Sequence, residues 1–141
     1  MPAVGDVYSL REGESVTVRA LSPELLAMDA VWVPGGGRPP KHHHPSQDEH
    51  FGVHEGELTV EAGDGPPVVL RAGDTFAIPA RTVHRMWNSG DTQARATWEV
   101  RPARRTAEMF ETMSGGINPA QGAKILWKFR REFRLATSLK G

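Results

Sequence analysis

Apolar and polar residues alternate over short distances through most of the chain. The stretches "SVTVRAL", "LLAMDAVWV", "EHFGVHEG", "ELTVEA", "PVVLRAG", "DTFAIPA", "TVHRMWNSG" and "RATWEVR" each read as a strand with one face turned inward. Turn formers separate them in "PGGGRPP", "GDGPP", "AGD" and "NSGD". Short strands at regular spacing predict an all-β sandwich or barrel. No internal repeat and no disordered tract interrupts the series.

The pattern changes after Pro102. In "RRTAEMFETM", Ala107, Phe110 and Met113 recur at helical spacing, and Gly115 and Gly116 stop the run. "NPAQGAKILWKFRREFRLA" predicts a second helix, with Asn118 as N-cap and Pro119 as first helical residue. Ile125, Leu126, Phe129, Phe133 and Ala136 make its apolar stripe, and Lys124, Lys128, Arg131 and Arg134 fall mostly off it. Such a stripe serves a helix docked on the barrel with its charges in water; the competing reading is a basic membrane or partner helix. Docking is preferred, because amphipathicity in a single helix usually reflects core packing. We therefore divide the chain into a β-barrel, 1–102, and a C-terminal helical extension of the same domain, 103–141.

Composition narrows the classes. A chain of 141 residues suits one domain with a real core. Lys plus Arg and Asp plus Glu each number 17, so no basic excess supports nucleic-acid binding. There is no cysteine, so disulfides and thiolate metal sites are excluded and any metal must be held by nitrogen and oxygen. "MPAVGDVYSLREGESVTV" lacks the apolar core and basic flank of a signal peptide, and no apolar run approaches a membrane span. The expectation is a cytoplasmic protein without a membrane partner.

Within that frame, "KHHHPSQDEH" concentrates four of the six histidines between Lys41 and His50. Residues two apart in a strand share a face, so His42 and His44 point together and His43 points away. Pro45 cannot donate to a sheet ladder, which makes "PSQD" a turn or bulge. A strand resumes near Glu49, with Glu49, Phe51 and Val53 on one face. If that face is the inner one, Glu49 joins His42 and His44, while His50 and His54 turn outward. His84 lies far along the chain, sharing a face with Met86 and Asn88; spacing alone does not bring that face to the first.

These residues are similar to the two motifs of the cupin superfamily. The first has a glycine, His-x-His, a glutamate and a second glycine, matched by Gly36, His42, His44, Glu49 and Gly56. The second has a glycine, a proline, a glycine, a histidine and an asparagine. Gly73, Pro79, His84 and Asn88 match it, and Arg81 stands where the inner glycine is usual. The resemblance is to small bacterial single-domain members. It implies a double-stranded β-helix, or jelly-roll barrel, with the two C-terminal helices packed outside. It also implies that His42, His44, Glu49 and His84 bind one divalent metal inside the barrel, and that the protein forms a homodimer.

Three imidazoles and a carboxylate suit Fe(II), Mn(II), Ni(II), Zn(II), Co(II) or Cu(II), with iron the best fit to a catalytic role. Six-coordination leaves two positions for a small-molecule ligand or dioxygen. The alternative is that these are ordinary polar residues at a barrel mouth. Phe51, Met86 and Trp98 are pocket-wall candidates that serve equally as plain core. Asp48 reads as a turn residue. Catalytic groups beyond the metal are not identifiable, and no general base is evident beside the quartet. That mildly favours a dioxygenase-like oxidoreductase acting on a small oxygen-rich or aromatic molecule. The alternatives are a metal-dependent isomerase or lyase and a non-catalytic binding or sensing protein.

Overall fold

The computed structural model describes residues 1–136; residues 137–141 of the C-terminal extension lie outside the described residues. In chain order the elements are β1 (Val7–Arg11), β2 (Glu14–Leu21), β3 (Leu26–Trp32), β4 (His42–His43), β5 (Asp48–Glu55), β6 (Glu57–Ala62), β7 (Val68–Arg71), β8 (Thr75–Ile78), β9 (His84–Trp87), β10 (Ala94–Arg101), α1 (Thr106–Met113), α2 (Pro119–Lys128) and β11 (Arg134–Leu135). The strands form two antiparallel sheets, ordered β1-β2-β3-β10-β5-β8 and β11-β4-β9-β6-β7. The residue pattern predicts an all-β sandwich or barrel, and these two sheets form the jelly roll that the motif resemblance implies. No helix among the described residues is long and apolar enough to cross a membrane.

Alternation decides which face is inside. On β5, Glu49, Phe51 and Val53 are buried between exposed Asp48, His50 and His54. On β10, Ala94, Ala96, Trp98 and Val100 are buried, and they join Met28, Ala30 and Trp32 of β3 in one core. Strand register is strongly specified here, since a one-residue slip would turn every one of these side chains to water.

Two further strands escape the sequence pattern. β1 is a five-residue edge strand in which Tyr8 is buried and Val7 exposed, and an irregularity between Ser9 and Arg11 lets both Leu10 and Arg11 line the interior cavity. β11 replaces the end of the expected second helix. Asn118 caps the helix as predicted, with Gln121 completing a reciprocal pair, but the helix stops at Lys128, short of Ala136. The following residues turn back, and Arg134 and Leu135 pair with His43 and His42. The reason is tertiary: Phe129 is fully buried in the core, and β4 would otherwise present an unpaired edge beside the cavity. The apolar stripe thus docks, while Lys124, Lys128, Arg131 and Arg134 are exposed.

The motif glycines answer different steric demands. Gly56 has φ +76°, and a Cβ there would come within 2.7 Å of the Ala94 Cα. Gly73 has φ +94° with open space around it. Arg81, the departure from the motif, itself adopts φ 68°; its backbone N–H donates to the His44 carbonyl at 2.8 Å, tying the two motifs together. Gly56→Ala is expected to cost about 2–4 kcal/mol, from left-handed strain plus a backbone clash. Gly73→Ala is expected to cost about 1–2 kcal/mol from strain alone. Arg81→Gly should fall within about 1 kcal/mol of wild type, because relief of strain offsets the gain in unfolded-state freedom. Chemical denaturation of the three variants checks this ranking.

Candidate functional site

The pairing of β4 with β9 sets His42 directly opposite His84. His44 follows just beyond β4, and β5 of the facing sheet brings Glu49 to the same point. The ligating atoms available on His42, His44 and His84 all lie within 4.8 Å of one another. Glu49 Oε1 is 3.0 Å from His44 Nε2 and 2.9 Å from His84 Nε2. The structure therefore groups the three histidines of the predicted quartet, with Glu49 in contact with two of them, His44 and His84.

Each ring is oriented from behind by a backbone carbonyl. His44 Nδ1 donates to the Glu132 carbonyl at 2.7 Å, and His84 Nδ1 donates to the Thr82 carbonyl at 2.8 Å. His42 Nδ1 faces the Pro40 carbonyl at 3.4 Å, and its ring stacks on Phe133 at 4.7 Å. A carbonyl can only accept, so Nδ1 carries the proton and the neutral ring turns the Nε2 lone pair inward. Trp98 Nε1–H donates to Glu49 Oε2 at 2.7 Å.

This arrangement provides a test of whether a cation fits. Glu49 Oε1 and His44 Nε2 are both buried, yet neither has an aligned hydrogen-bond partner among the described residues. Lone pairs on Oε1 and the inward Nε2 atoms repel at these distances unless a proton or a cation lies among them. Without a metal, burial opposes charge on His44, but the Glu49 carboxylate overcomes it and raises the His44 pKa. Burial likewise works against the Glu49 charge and is overcome by His44 and His84, which hold that carboxyl well below its usual range. Burial and the neighbouring His84 and His44 push His42 down to about 3, so it stays neutral as a ligand must. Three inward nitrogens and one ionised oxygen fit a divalent metal.

The quartet opens on a cavity of about 340 Å³. Phe51, Met86 and Trp98 all line it, with Leu10, Phe110 and Phe133. Trp98 is directly opposite Phe51 across the β5–β10 pair. Both C-terminal helices contribute to the wall through Met109 and Ile125, so the helices outside the sheets also close the chamber.

Of the remaining predicted residues, His50 and His54 are exposed as expected. His43 is only half outward: its Nδ1 is buried, with no partner among the described residues, and β11 lies beside it. Asp48 is more than a turn residue, since its Oδ1 accepts from the Ala80 backbone N–H at 2.8 Å and so fixes the second motif's loop. Asn88 donates to the Trp32 and Thr92 carbonyls and accepts from Gly90 N–H, which makes it a loop brace.

The expectation that no further acid or base stands near the quartet is corrected by Glu14. Its side chain keeps 13% of its surface accessible and lines the cavity. Burial raises its pKa to about 7 against the pull of Arg11, with the Glu49 charge adding to the rise. The alternation of "ESVTV" does place Glu14 on the face of Val16 and Val18, and a charge on a buried face was the available signal.

The family model for a cupin domain matches residues 29–100. A germin-like protein 3-7 from Oryza sativa subsp. japonica is 35% identical over 119 residues, covering 82% of this chain and 47% of its own length. The chain thus spans about half the length of that relative. Among solved structures, KdgF from Halomonas sp. superposes with TM-score 0.63 at 24% identity, over 70% of this chain and 87% of that one. A sugar phosphate isomerase of the cupin superfamily from Silicibacter pomeroyi DSS-3 superposes with TM-score 0.57 at 26% identity, over 64% and 60% of the two chains. With both motifs folded around one point inside a jelly roll, and with this match over its strands, the chain belongs to the cupin family.

Proposed function

We propose that His42, His44, Glu49 and His84 hold a divalent metal, iron in the catalytic form, and that the protein is a dioxygenase-like oxidoreductase acting on a small, largely apolar molecule. The observation that carries this reading is the meeting of three inward imidazole nitrogens with a buried carboxylate, beneath a cavity walled by aromatic and aliphatic side chains. When bound, a redox-active cation supplies electron exchange between a coordinated organic molecule and dioxygen. The protein's own residues hold the ligand set rigid, exclude water and seat the organic body. The walls favour an aromatic or aliphatic body over a sugar, whose several hydroxyls would lose more hydrogen bonds to water than these walls return.

A second reading is a metal-dependent isomerase or lyase. Glu14 favours it, because a carboxyl titrating near neutrality can move protons. The sugar phosphate isomerase among the structural neighbours lends it support by fold and name.

Elemental analysis of the natively purified protein should find one divalent ion per chain, and His84→Ala should lose it; equal metal content in the two would sink the quartet. Oxygen uptake by the Fe(II)-loaded protein, screened with catechols, diketones and flavonols, then separates the readings. Consumption with a member of this set supports oxygenation. Its absence, with the same compounds raising the melting temperature, supports binding without turnover. Trp98→Phe removes the hydrogen bond to Glu49 Oε2 and keeps the ring; metal affinity, measured by competition with a chelator, should fall about 10–100-fold with the fold intact.

A further inference from the structure

The chain as a whole is neutral, but its charge is unevenly spread. Two segments frame the cavity: residues 33–44, which supply Pro39 and Pro40 to its wall, and residues 114–136, which supply Ile117, Leu126, Phe133 and Leu135. They meet where the Ala136 backbone N–H donates to the Lys41 carbonyl at 2.9 Å and Leu135 pairs with His42. Pro40, Ile117 and Leu135 line the cavity and are also exposed, so these segments form its rim. Together they hold seven of the 17 basic residues and one of the 17 acidic ones. That acid, Glu132, is buried, and its Oε2 accepts from the Arg105 backbone N–H at 3.3 Å.

Few carboxylates answer this charge. Lys128 is met by Glu108 at 3.4 Å, which Arg105 also holds at 2.7 Å. Glu61 lies in the field of Lys41 and Arg38 but is paired with Arg85. Arg38, Lys41, Lys124, Arg130, Arg131 and Arg134 make no ion pair among the described residues. Arg38 and Arg130 lie over the Trp87 and Trp127 rings at 5.2 and 4.2 Å, which leaves their charge in place.

A basic face elsewhere on a surface serves solubility. Here it rims the way into an apolar chamber, whose low-dielectric walls focus such a field along the passage. The charged and titratable groups inside are Arg11, Glu14, His42, His44, Glu49 and His84. Arg11 and Glu14 face one another at 3.3 Å, so together they carry no net charge while Glu14 is ionised. A divalent ion beside the single Glu49 carboxylate leaves the ligand cluster net positive. That suits one negative charge, and a second would be buried without a counter-charge.

We propose that the basic rim steers a small organic monoanion of the carboxylate kind into the chamber, its charge going to the ligand cluster and its aromatic or aliphatic body to the walls. This names the substrate class of the metal site above and rests on that reading. A neutral molecule gains nothing from the field, and a polyanion finds no second positive point inside.

The test follows tryptophan emission by stopped flow as the Zn(II)-loaded protein, its zinc content confirmed, is mixed with cinnamate or with benzohydroxamic acid, a metal-binding molecule uncharged in neutral solution. Raising ionic strength from about 0.01 to about 0.15 M shortens the screening length from about 30 to about 8 Å. Cinnamate association should slow about fivefold or more, and hydroxamate association should hold within about 1.5-fold. Lys124 and Arg131 are exposed, so Lys124→Glu with Arg131→Glu alters the field without touching the site. That pair should slow cinnamate association about tenfold at low salt and remove most of its salt dependence. The same charge change on the outer face of the larger sheet, Arg19→Glu with Arg101→Glu, should alter the rate less than about twofold. A cinnamate rate indifferent to salt, or slowed equally by both pairs, overturns the inference. So does hydroxamate binding without cinnamate binding, and in each of these cases the metal reading stands. Binding of neither ligand overturns both.

Discussion

The interior is organised around one buried negative charge. Glu49 is 3% exposed and sits where the two sheets face one another. An ionised carboxylate in such a place is costly unless its oxygens are occupied by donors or cations. One oxygen is answered by the Trp98 indole, and the other faces two imidazoles that are themselves turned by backbone carbonyls. Those partners come from β9, β10 and the segments after β4 and α2, while β5 carries the charge itself, so most of the fold must be in place before it is stabilised. Proton and metal then compete for the same point, since the interaction that raises the His44 pKa is the one a divalent cation would take over.

The C-terminal segment belongs to this arrangement as much as the barrel does. The Glu132 carbonyl orients His44, Phe133 stacks on His42, and β11 completes the edge beside both. The aromatic and backbone groups behind a ligand set its tautomer and its basicity. Here those groups lie about ninety positions along the chain from the histidine that they steer. Phe129 anchors the turn that makes this reach possible, and its burial explains why a helix-forming sequence is abandoned after Lys128.

Most of the barrel was legible because period-two alternation is a local signal, and β5, β9 and β10 obey it residue by residue. The convergence of His84 on His42 was not local; only the motif spacing implied it, and the β4–β9 pairing realises it. What stayed hidden depends on contacts without periodicity. β1 has too few inward residues to register, and β4 and β11 are two residues each. The end of α2 reads as helix by propensity, and only the cost of an unpaired edge beside the cavity overrides it. Glu14 was concealed for another reason. A single glutamate at the start of an alternating strand is usually a solvated strand end, and its burial follows from Trp32 and Arg11 flanking it across the sheet.

Two carboxylates in one apolar chamber cannot share the same ionisation behaviour. Glu49 is surrounded by groups that favour its charge, and its pKa falls. Glu14 feels burial, a poorly aligned arginine and the charge of Glu49 itself, and its pKa rises to about 7. When environments push two like groups apart in this way, one becomes the permanent charge and the other the exchangeable proton. The division follows from position alone: β5 delivers its carboxylate among imidazoles, and β2 delivers its own beside an indole. A cavity with a fixed anion at the ligand cluster and a titrating carboxyl on a separate row of the same sheet is polar at separate points and apolar between them. Under the function proposed above, a small molecule would meet the cluster at one point while its body lies against the apolar walls.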